Sequence, residues 1–290
     1  MKKIENEKIE IELLLQAILL KYGYDFRTYA KSSLKRRIMR RLSLSGVRTI
    51  SELQYRIIYD LDFFETLLLD LSINVTQMFR DPLFYKAIRE DVVPVLRDLQ
   101  AIKVWHAGCA TGEEVYSMAI LLKEEGLYDK SRIYATDFNE KVLRTSKEGI
   151  YPIERIKDYT RNYIQSGGHS SFADYYSARY DFVIMDSSLR KNVVFADHNL
   201  VTDGVFSEMD LIVCRNVLIY FNRELQNRVF KLFSDSLNDE GFLCLGSKET
   251  VRYSDCSDNF KTVSKGQRIY RKRIIKYEDL TLKVKNTGER

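Results

Sequence analysis

Two glycines, two acids and a third acid form the group of residues best suited to chemistry. Gly108 and Gly112 sit in V-W-H-A-G-C-A-T-G-E-E-V-Y-S (Val104–Ser117), Glu113 and Glu114 follow at once, and A-T-D (Ala135–Asp137) ends in Asp137. Glycine lets a backbone turn tightly and approach a ligand closely. A carboxylate only accepts hydrogen bonds, which suits the paired donors of a ribose. The G-x-x-x-G spacing is neither the dinucleotide G-x-G-x-x-G nor the phosphate loop G-x-x-x-x-G-K-[ST]. Two acids at a helix start would repel a pyrophosphate from the place anions usually take. These residues favour a nucleoside without phosphates, of which S-adenosylmethionine is the common one. A glycine turn that binds nothing would read the same.

Two later segments carry further candidates, D-H-N-L (Asp197–Leu200) and C-R-N-V-L-I-Y-F (Cys214–Phe221). Each follows an apolar strand, and in an open α/β sheet the ligand crevice lies beyond the carboxyl ends of the strands. Asn199 or Asn216 could bond an adenine edge or a ligand carboxylate, or simply cap the next helix. Tyr220 read alone suits core packing. Upstream, S-I-N-V-T-Q-M-F-R-D-P brings Asn74, Thr76 and Arg80 ahead of a helix that Pro82 helps to start. His106, His169 and His198 are scattered, so no metal site is expected.

The elements that must position these groups follow from periodicity. Ile102–Trp105 reads as a strand, Glu113 opens a helix, and Ile133–Ala135 is a second strand followed by a helix over Glu140–Gly149. Residues 151–192 break the alternation with Gly167-Gly168 and aromatic-rich pieces (Phe172–Tyr176, Tyr180–Met185), the pattern of an inserted antiparallel β-subdomain. Core strands resume at Val193–Phe195, Asp210–Cys214 and Phe242–Leu245, with a helix over Arg223–Leu237. A hairpin (Phe260–Ser264, Gln267–Tyr270) closes the sheet, and a charged tail from Arg271 should fray. Residues 1–72 look wholly helical, with helices over Ile9–Leu20, Tyr29–Leu44 and Ser51–Leu71, and Leu83–Leu99 forms one more helix.

In the second of these, Lys31, Lys35, Arg36, Arg37, Arg40, Arg41 and Arg48 give seven basic residues and no acid between 31 and 48. Leu34, Ile38 and Leu42 form its buried stripe, which puts Arg36, Arg37, Arg40 and Arg41 on the exposed side. Such a run is either a solvated face or a dock for something anionic. The whole chain carries only +5, so position rather than total charge matters. Cys109, Cys214, Cys244 and Cys256 show no C-x-x-C pair and read as packed, reduced thiols. The N-terminus has charges of both signs, unlike a signal peptide, and Leu13–Leu20 is too short to span a bilayer. A cytoplasmic protein is expected, with no direct membrane insertion.

Taken together, N-V-T-Q-M-F-R-D, W-H-A-G-C-A-T-G-E-E-V-Y-S-M-A, A-T-D, H-N-L and C-R-N-V-L-I-Y-F resemble, in order and spacing, the CheR-type chemoreceptor glutamate methyltransferases. The basic K-S-S-L-K-R-R-I-M-R-R helix resembles that family's N-terminal helix, and the likeness runs over roughly residues 30–272. It implies an α/β fold: a Rossmann-like S-adenosylmethionine-dependent methyltransferase sheet with a small antiparallel β-subdomain, preceded by an all-helical N-terminal domain. Domains over 1–72 and 73–290 are expected. The resemblance places Asn74, Thr76, Arg80, Gly108, Glu113, Asp137, Asn199, Leu200, Asn216 and Val217 at S-adenosyl-L-methionine, whose product is S-adenosyl-L-homocysteine. It sets Asp137 on the ribose, Asn199–Leu200 near the adenine, and Arg80 and Tyr220 at the reacting methyl. Met78 stands where the family usually has the first Phe of F-F-R-D, and Val115 where Pro is common, and neither change removes a polar group.

The implied partner is the cytoplasmic helical bundle of a chemoreceptor, docked on Lys35, Arg36, Arg37, Arg40 and Arg41. In some family members the β-subdomain also captures a receptor C-terminal peptide. A monomer is expected. A nucleic-acid methyltransferase of the same fold and a non-catalytic module binding S-adenosylmethionine or a receptor are the rival readings. Against the first, no stacking aromatics interleave with the basic residues.

Overall fold

The computed structural model describes residues 2–72, 76–206 and 208–274. The N-terminal helices are α1 (Lys2–Tyr22), α2 (Lys31–Ser45), α3 (Ile50–Tyr59) and α4 (Leu61–Leu71). The single helix expected over Ser51–Leu71 is therefore two. Asp60 leaves helical geometry at the end of α3, and its carboxylate accepts from Phe63 N at 3.0 Å to start α4. An aspartate that caps a new helix satisfies a backbone donor that no intrahelical carbonyl reaches.

Past the linker, α5 (Pro82–Ala87), a π-helical turn (Ile88–Val92) and α6 (Val93–Arg97) replace the one helix expected over Leu83–Leu99. Pro94 lacks the N–H that a regular ladder needs, and the register widens just before it. In chain order there follow β1 (Ile102–Ala107), α7 (Glu113–Glu124), β2 (Ser131–Asp137), α8 (Glu140–Glu148), β3 (Ile150–Pro152) and α9 (Ile156–Gln165). Then come β4 (Tyr176–Arg179), β5 (Phe182–Met185), β6 (Val193–Asp197), β7 (Met209–Cys214), α10 (Arg223–Ser236), β8 (Leu237–Leu245), β9 (Phe260–Ser264) and β10 (Ile269–Lys272).

Seven strands form the main sheet in the order β6-β2-β1-β7-β8-β10-β9. Strands β6, β2, β1, β7 and β8 are parallel, and β10 lies antiparallel to both β8 and β9. The chain winds outward from β1 to β2 and β6, then returns to β7. That reversal opens a crevice beyond the carboxyl ends of β1 and β7. Both faces of the sheet are covered. Leu211, Val213, Phe242 and Cys244 pack with α5 to α7, while Ile212, Cys214, Leu243 and Leu245 pack with α10. Burial on both sides is why the central strands read as unbroken apolar runs.

The helical segment shares the second of these cores. Leu14, Ile18, Leu53 and Leu67 belong to the same buried cluster as Trp105, Ile212 and Phe233. A second sheet, β3-β5-β4, is antiparallel and forms the insertion. Its helix α9 was not anticipated, although Tyr159, Asn162 and Tyr163 are buried at helical spacing. Phe172–Tyr175 is a 3-10 turn rather than an extended piece, because Ser171 Oγ accepts from Ala173 N at its start. Arg271 and Lys272, expected in the charged tail, complete β10, and the tail beyond 274 lies outside the described residues. No helix among the described residues is long and apolar enough to cross a membrane.

Candidate active site

The carboxyl ends of β1, β2 and β7 meet in a cleft. Gly108 and Ala110 from the loop after β1, Asp137 from β2, Asn199 and Leu200 after β6, and Asn216, Val217 and Tyr220 after β7 line it. An adjoining recess shares Gly108, Ala110, Asn216 and Val217 and adds Thr76, Arg80, Glu114 and Arg215. Nine of the residues singled out in the sequence thus face one continuous space: Thr76, Arg80, Gly108, Asp137, Asn199, Leu200, Asn216, Val217 and Tyr220. Asn74 lies outside the described residues.

Gly108 turns the chain at φ 78°, and a Cβ there would meet Val217 Cγ2 at 2.7 Å. Its N–H and that of Cys109 both donate to Thr136 O at 2.9 Å, which ties the glycine loop to β2. Asp137 then receives Ala110 N at 3.0 Å and Asn139 N at 3.1 Å. Burial raises its pKa from 3.8 to about 6, against the pull of backbone donors including these two. A carboxylate this buried beside a cleft is suited to hydroxyl donors that arrive with a ligand.

The loop after β7 is held open from below. Glu249, only 4% exposed, accepts from Gly246 N at 2.6 Å, Asn216 N at 3.0 Å and Ile219 N at 3.3 Å. Burial raises this carboxyl, and the backbone donors pull it back down. Asn216 adopts a left-handed φ of 62°, a conformation asparagine tolerates. It does not cap α10. Asn222 does so instead, accepting from Leu225 N at 2.9 Å. Asn199 spends its Oδ1 on Val201 N at 2.9 Å, a local turn on the cleft wall.

Arg80 is carried by a strained turn, with Phe79 at φ 52° and Asp81 at φ 57°. A bulky residue reaches that region only when its surroundings hold it there. Phe79 is fully buried against the rings of Tyr85, Tyr163 and Phe172, and its N–H donates to Ser117 Oγ at 2.8 Å. Asn162 of α9 donates to Met78 O at 3.1 Å, so the insertion also braces this turn.

Glu113 does not line the cleft or the recess. Its carboxylate is fully buried, accepting from Thr111 Oγ1 at 2.6 Å and Tyr159 OH at 3.3 Å, with Arg155 at 3.5 Å. Glu114 takes the place in the recess instead. It bonds Arg215 at 2.8 Å and His106 Nδ1 at 3.3 Å. Burial opposes its ionisation, but the bond to His106 and the charge of Arg215 hold its pKa below the usual range. Arg215 is the hub that sequence reasoning missed. It also bonds Asp81 at 2.7 Å and lies 4.1 Å over the ring of Phe84, joining β7, α7 and the Arg80 turn.

The basic helix is corrected too. Arg37 is 7% exposed: it donates to Leu71 O and to Ser33 Oγ and stacks over Tyr220. Acids that the local sequence lacks arrive from neighbouring helices, Asp70 to Arg40 and Arg41 and Glu7 to Lys35. Tyr29, Leu71 and Ser72 from the helical segment complete the wall of the cleft. Nothing in the local sequence marked these as site residues, because the contact is made across the fold.

A family model described as CheR methyltransferase, SAM binding domain, matches residues 74–269, and one described as CheR methyltransferase, all-alpha domain, matches residues 9–72. The chain belongs to the CheR methyltransferase family. The Pseudomonas putida protein Cher3 is 55% identical over 267 residues, covering 92% of this chain and 98% of that protein. A chemotaxis protein methyltransferase of Listeria monocytogenes is 29% identical over 231 residues, covering 79% and 85%. One of Borreliella burgdorferi is 28% identical over 270 residues, covering 86% and 90%. This CheR chain is a methyltransferase with a Rossmann-like sheet, and its cofactor is S-adenosylmethionine. The cleft fits that group: a glycine cradle, a buried acid for hydroxyl donors, and a cationic end at Arg80.

Proposed function

We propose that this chain transfers the methyl group of S-adenosylmethionine to glutamate side chains on the cytoplasmic helices of chemoreceptors, forming glutamyl methyl esters for chemotactic adaptation. The observation that carries this reading is the charge around Tyr220. The Arg37 guanidinium carbon lies 4.6 Å from its ring centroid, and Arg80 lines the adjoining recess. Burial raises the phenol pKa of Tyr220, as does the charge of Glu249, and both arginines lower it. An acceptor entering beside Tyr220 meets positive charge, which suits a carboxylate. Free glutamate titrates at about 4.3, so the acceptor is already ionised at neutral pH and no general base is required.

Bound S-adenosylmethionine supplies a methyl group already activated on a sulfonium. In this reading Asp137 holds the ribose hydroxyls, and Asn199–Leu200 and Asn216–Val217 hold the remainder of the nucleoside and its tail. Arg80 orients the incoming carboxylate by charge-assisted hydrogen bonds, and Tyr220 fixes the methyl-bearing end. The protein contributes alignment and exclusion of water. Arg36 and Arg40, both exposed on α2, would meet the acidic face of a receptor helix. A receptor C-terminal peptide would add at the exposed edge strand β4.

The test is transfer of labelled methyl to a purified receptor cytoplasmic fragment, with bulk tRNA in parallel. Label on the receptor that alkali releases as methanol is the expected result. Alkali-stable label on the RNA would replace the receptor reading with a nucleic-acid substrate.

A further inference from the structure

Tyr220 is held as much by the helical segment as by its own loop. Ala30 N donates to Tyr220 O at 2.8 Å, Asn222 N donates to Thr28 O at 2.9 Å, and the ring of Tyr29 lies 4.9 Å from that of Phe221. These contacts fix the main chain on both sides of Tyr220, whose ring is partly buried against the core shared with the helical segment. The contact on the ring face comes from Arg37, whose guanidinium carbon lies 4.6 Å from the centroid.

Arg37 is itself locked. One nitrogen donates to Leu71 O at the end of α4, and another donates to Ser33 Oγ at 3.0 Å. Among the described residues it makes no ion pair: it bonds a carbonyl and a hydroxyl and faces an aromatic ring. Burying a guanidinium among neutral groups opposes folding in a way that methionine or leucine would not. A planar cation does suit one task there, namely to hold an aromatic ring by its face. Arg37 also occupies the helix that exposes Arg36 and Arg40.

Building on the proposed function, we propose that Arg37 is a positioning residue for methyl transfer. It sets the ring of Tyr220 from the helical domain and thereby joins the face that meets substrate to the side chain that meets the methyl. The local segment L-K-R-R-I-M-R-R does not distinguish it from its neighbours, and only its direction on α2 does so.

The experiment is a double-mutant cycle in the full chain. Arg37→Met and Tyr220→Phe are made singly and together, and kcat, KM and the Kd for S-adenosylhomocysteine are measured with a receptor fragment. Arg37→Met should lower kcat about tenfold while KM and Kd stay within about twofold, and that loss should vanish in the Tyr220→Phe background. Arg36→Met should raise KM and leave kcat alone. Arg37→Gln, which keeps an amide donor for Leu71, serves if the methionine variant fails to fold. Independently of turnover, 3-fluorotyrosine placed at 220 should change its fluorine resonance in the Arg37 variant and hold it in the Arg36 variant. An unchanged kcat, additive losses across the cycle or an unmoved resonance would each overturn the proposal. A parent protein that methylates no receptor would sink the proposed substrate, yet the fluorine resonance would still decide whether Arg37 holds Tyr220.

Discussion

Replacing Asp137 with asparagine separates what the buried acid does for the ligand from what it does to the fold. Burial lifts its pKa from 3.8 to about 6, so the folded protein favours the neutral acid more than the unfolded chain does and keeps it up to about pH 6. That preference stabilises the fold fully below pH 3.8 and is lost as pH rises through 6. At neutral pH the ionised group therefore opposes folding by roughly 3 kcal/mol, at about 1.4 kcal/mol per pKa unit. Asparagine removes this penalty but presents an NH2 group to either Ala110 N or Asn139 N, and a buried donor left unpaired costs about 1–3 kcal/mol. The two effects offset, so stability should stay near that of the parent. Binding has no such offset. Ribose hydroxyls lose a charged acceptor worth about 1.5–3 kcal/mol, which weakens the Kd about 10- to 100-fold. The parent should bind more weakly in acid for the same reason, because its ionised fraction falls about tenfold between pH 7 and pH 5. Titration calorimetry with S-adenosylhomocysteine across that range, beside urea unfolding, measures both quantities. A parent Kd that is flat with pH, or a variant that binds as tightly as the parent, would refute the ribose assignment.

Arg80→Ala should lower kcat about 100-fold or more with little change in urea midpoint, and equal turnover by variant and parent would remove Arg80 from the chemistry. Gly108→Ala places a methyl at 2.7 Å from Val217 Cγ2, a side chain that can rotate, on a backbone at φ 78°. It should lose about 1–2 kcal/mol of stability, and because Val217 then turns into the cleft, calorimetry should show S-adenosylhomocysteine binding weakened about tenfold. Glu249→Gln leaves one of three backbone donors facing an NH2 group. We expect a stability loss of about 1–3 kcal/mol together with weaker cofactor binding as Asn216 relaxes; an unchanged Kd would show that the loop needs no such clamp.

Much of this protein is determined locally. The central strands, the glycine loop, the acid at the end of β2 and the asparagines after β6 and β7 are legible because unbroken apolar runs, glycine turns and strand ends each leave a short-range signature. The order of those strand ends then dictates the switch point, so the segments at Asp137, Asn199 and Asn216 converge without further information. Signals spread over distance are not legible this way. The break at Asp60 and the π turn before Pro94 were missed because a helical period alone does not show which residue will cap or interrupt it.

Charge misleads for the same reason. The run from Lys31 to Arg48 contains no acid, yet Asp70 and Glu7 reach it from other helices, and one of its arginines turns inward. Glu113 and Glu114 are adjacent and chemically alike, but successive helical positions diverge by about 100°, so one enters a buried cluster and the other the recess. Arg215, Glu249, Tyr29 and Ser72 belong to the site through contacts between segments remote in sequence. Sequence determined which chemistry the strand ends carry. Tertiary structure alone decided which arginine faces Tyr220, which glutamate faces the cleft, and that the helical segment forms part of its wall, because each depends on packing between elements that no local pattern records.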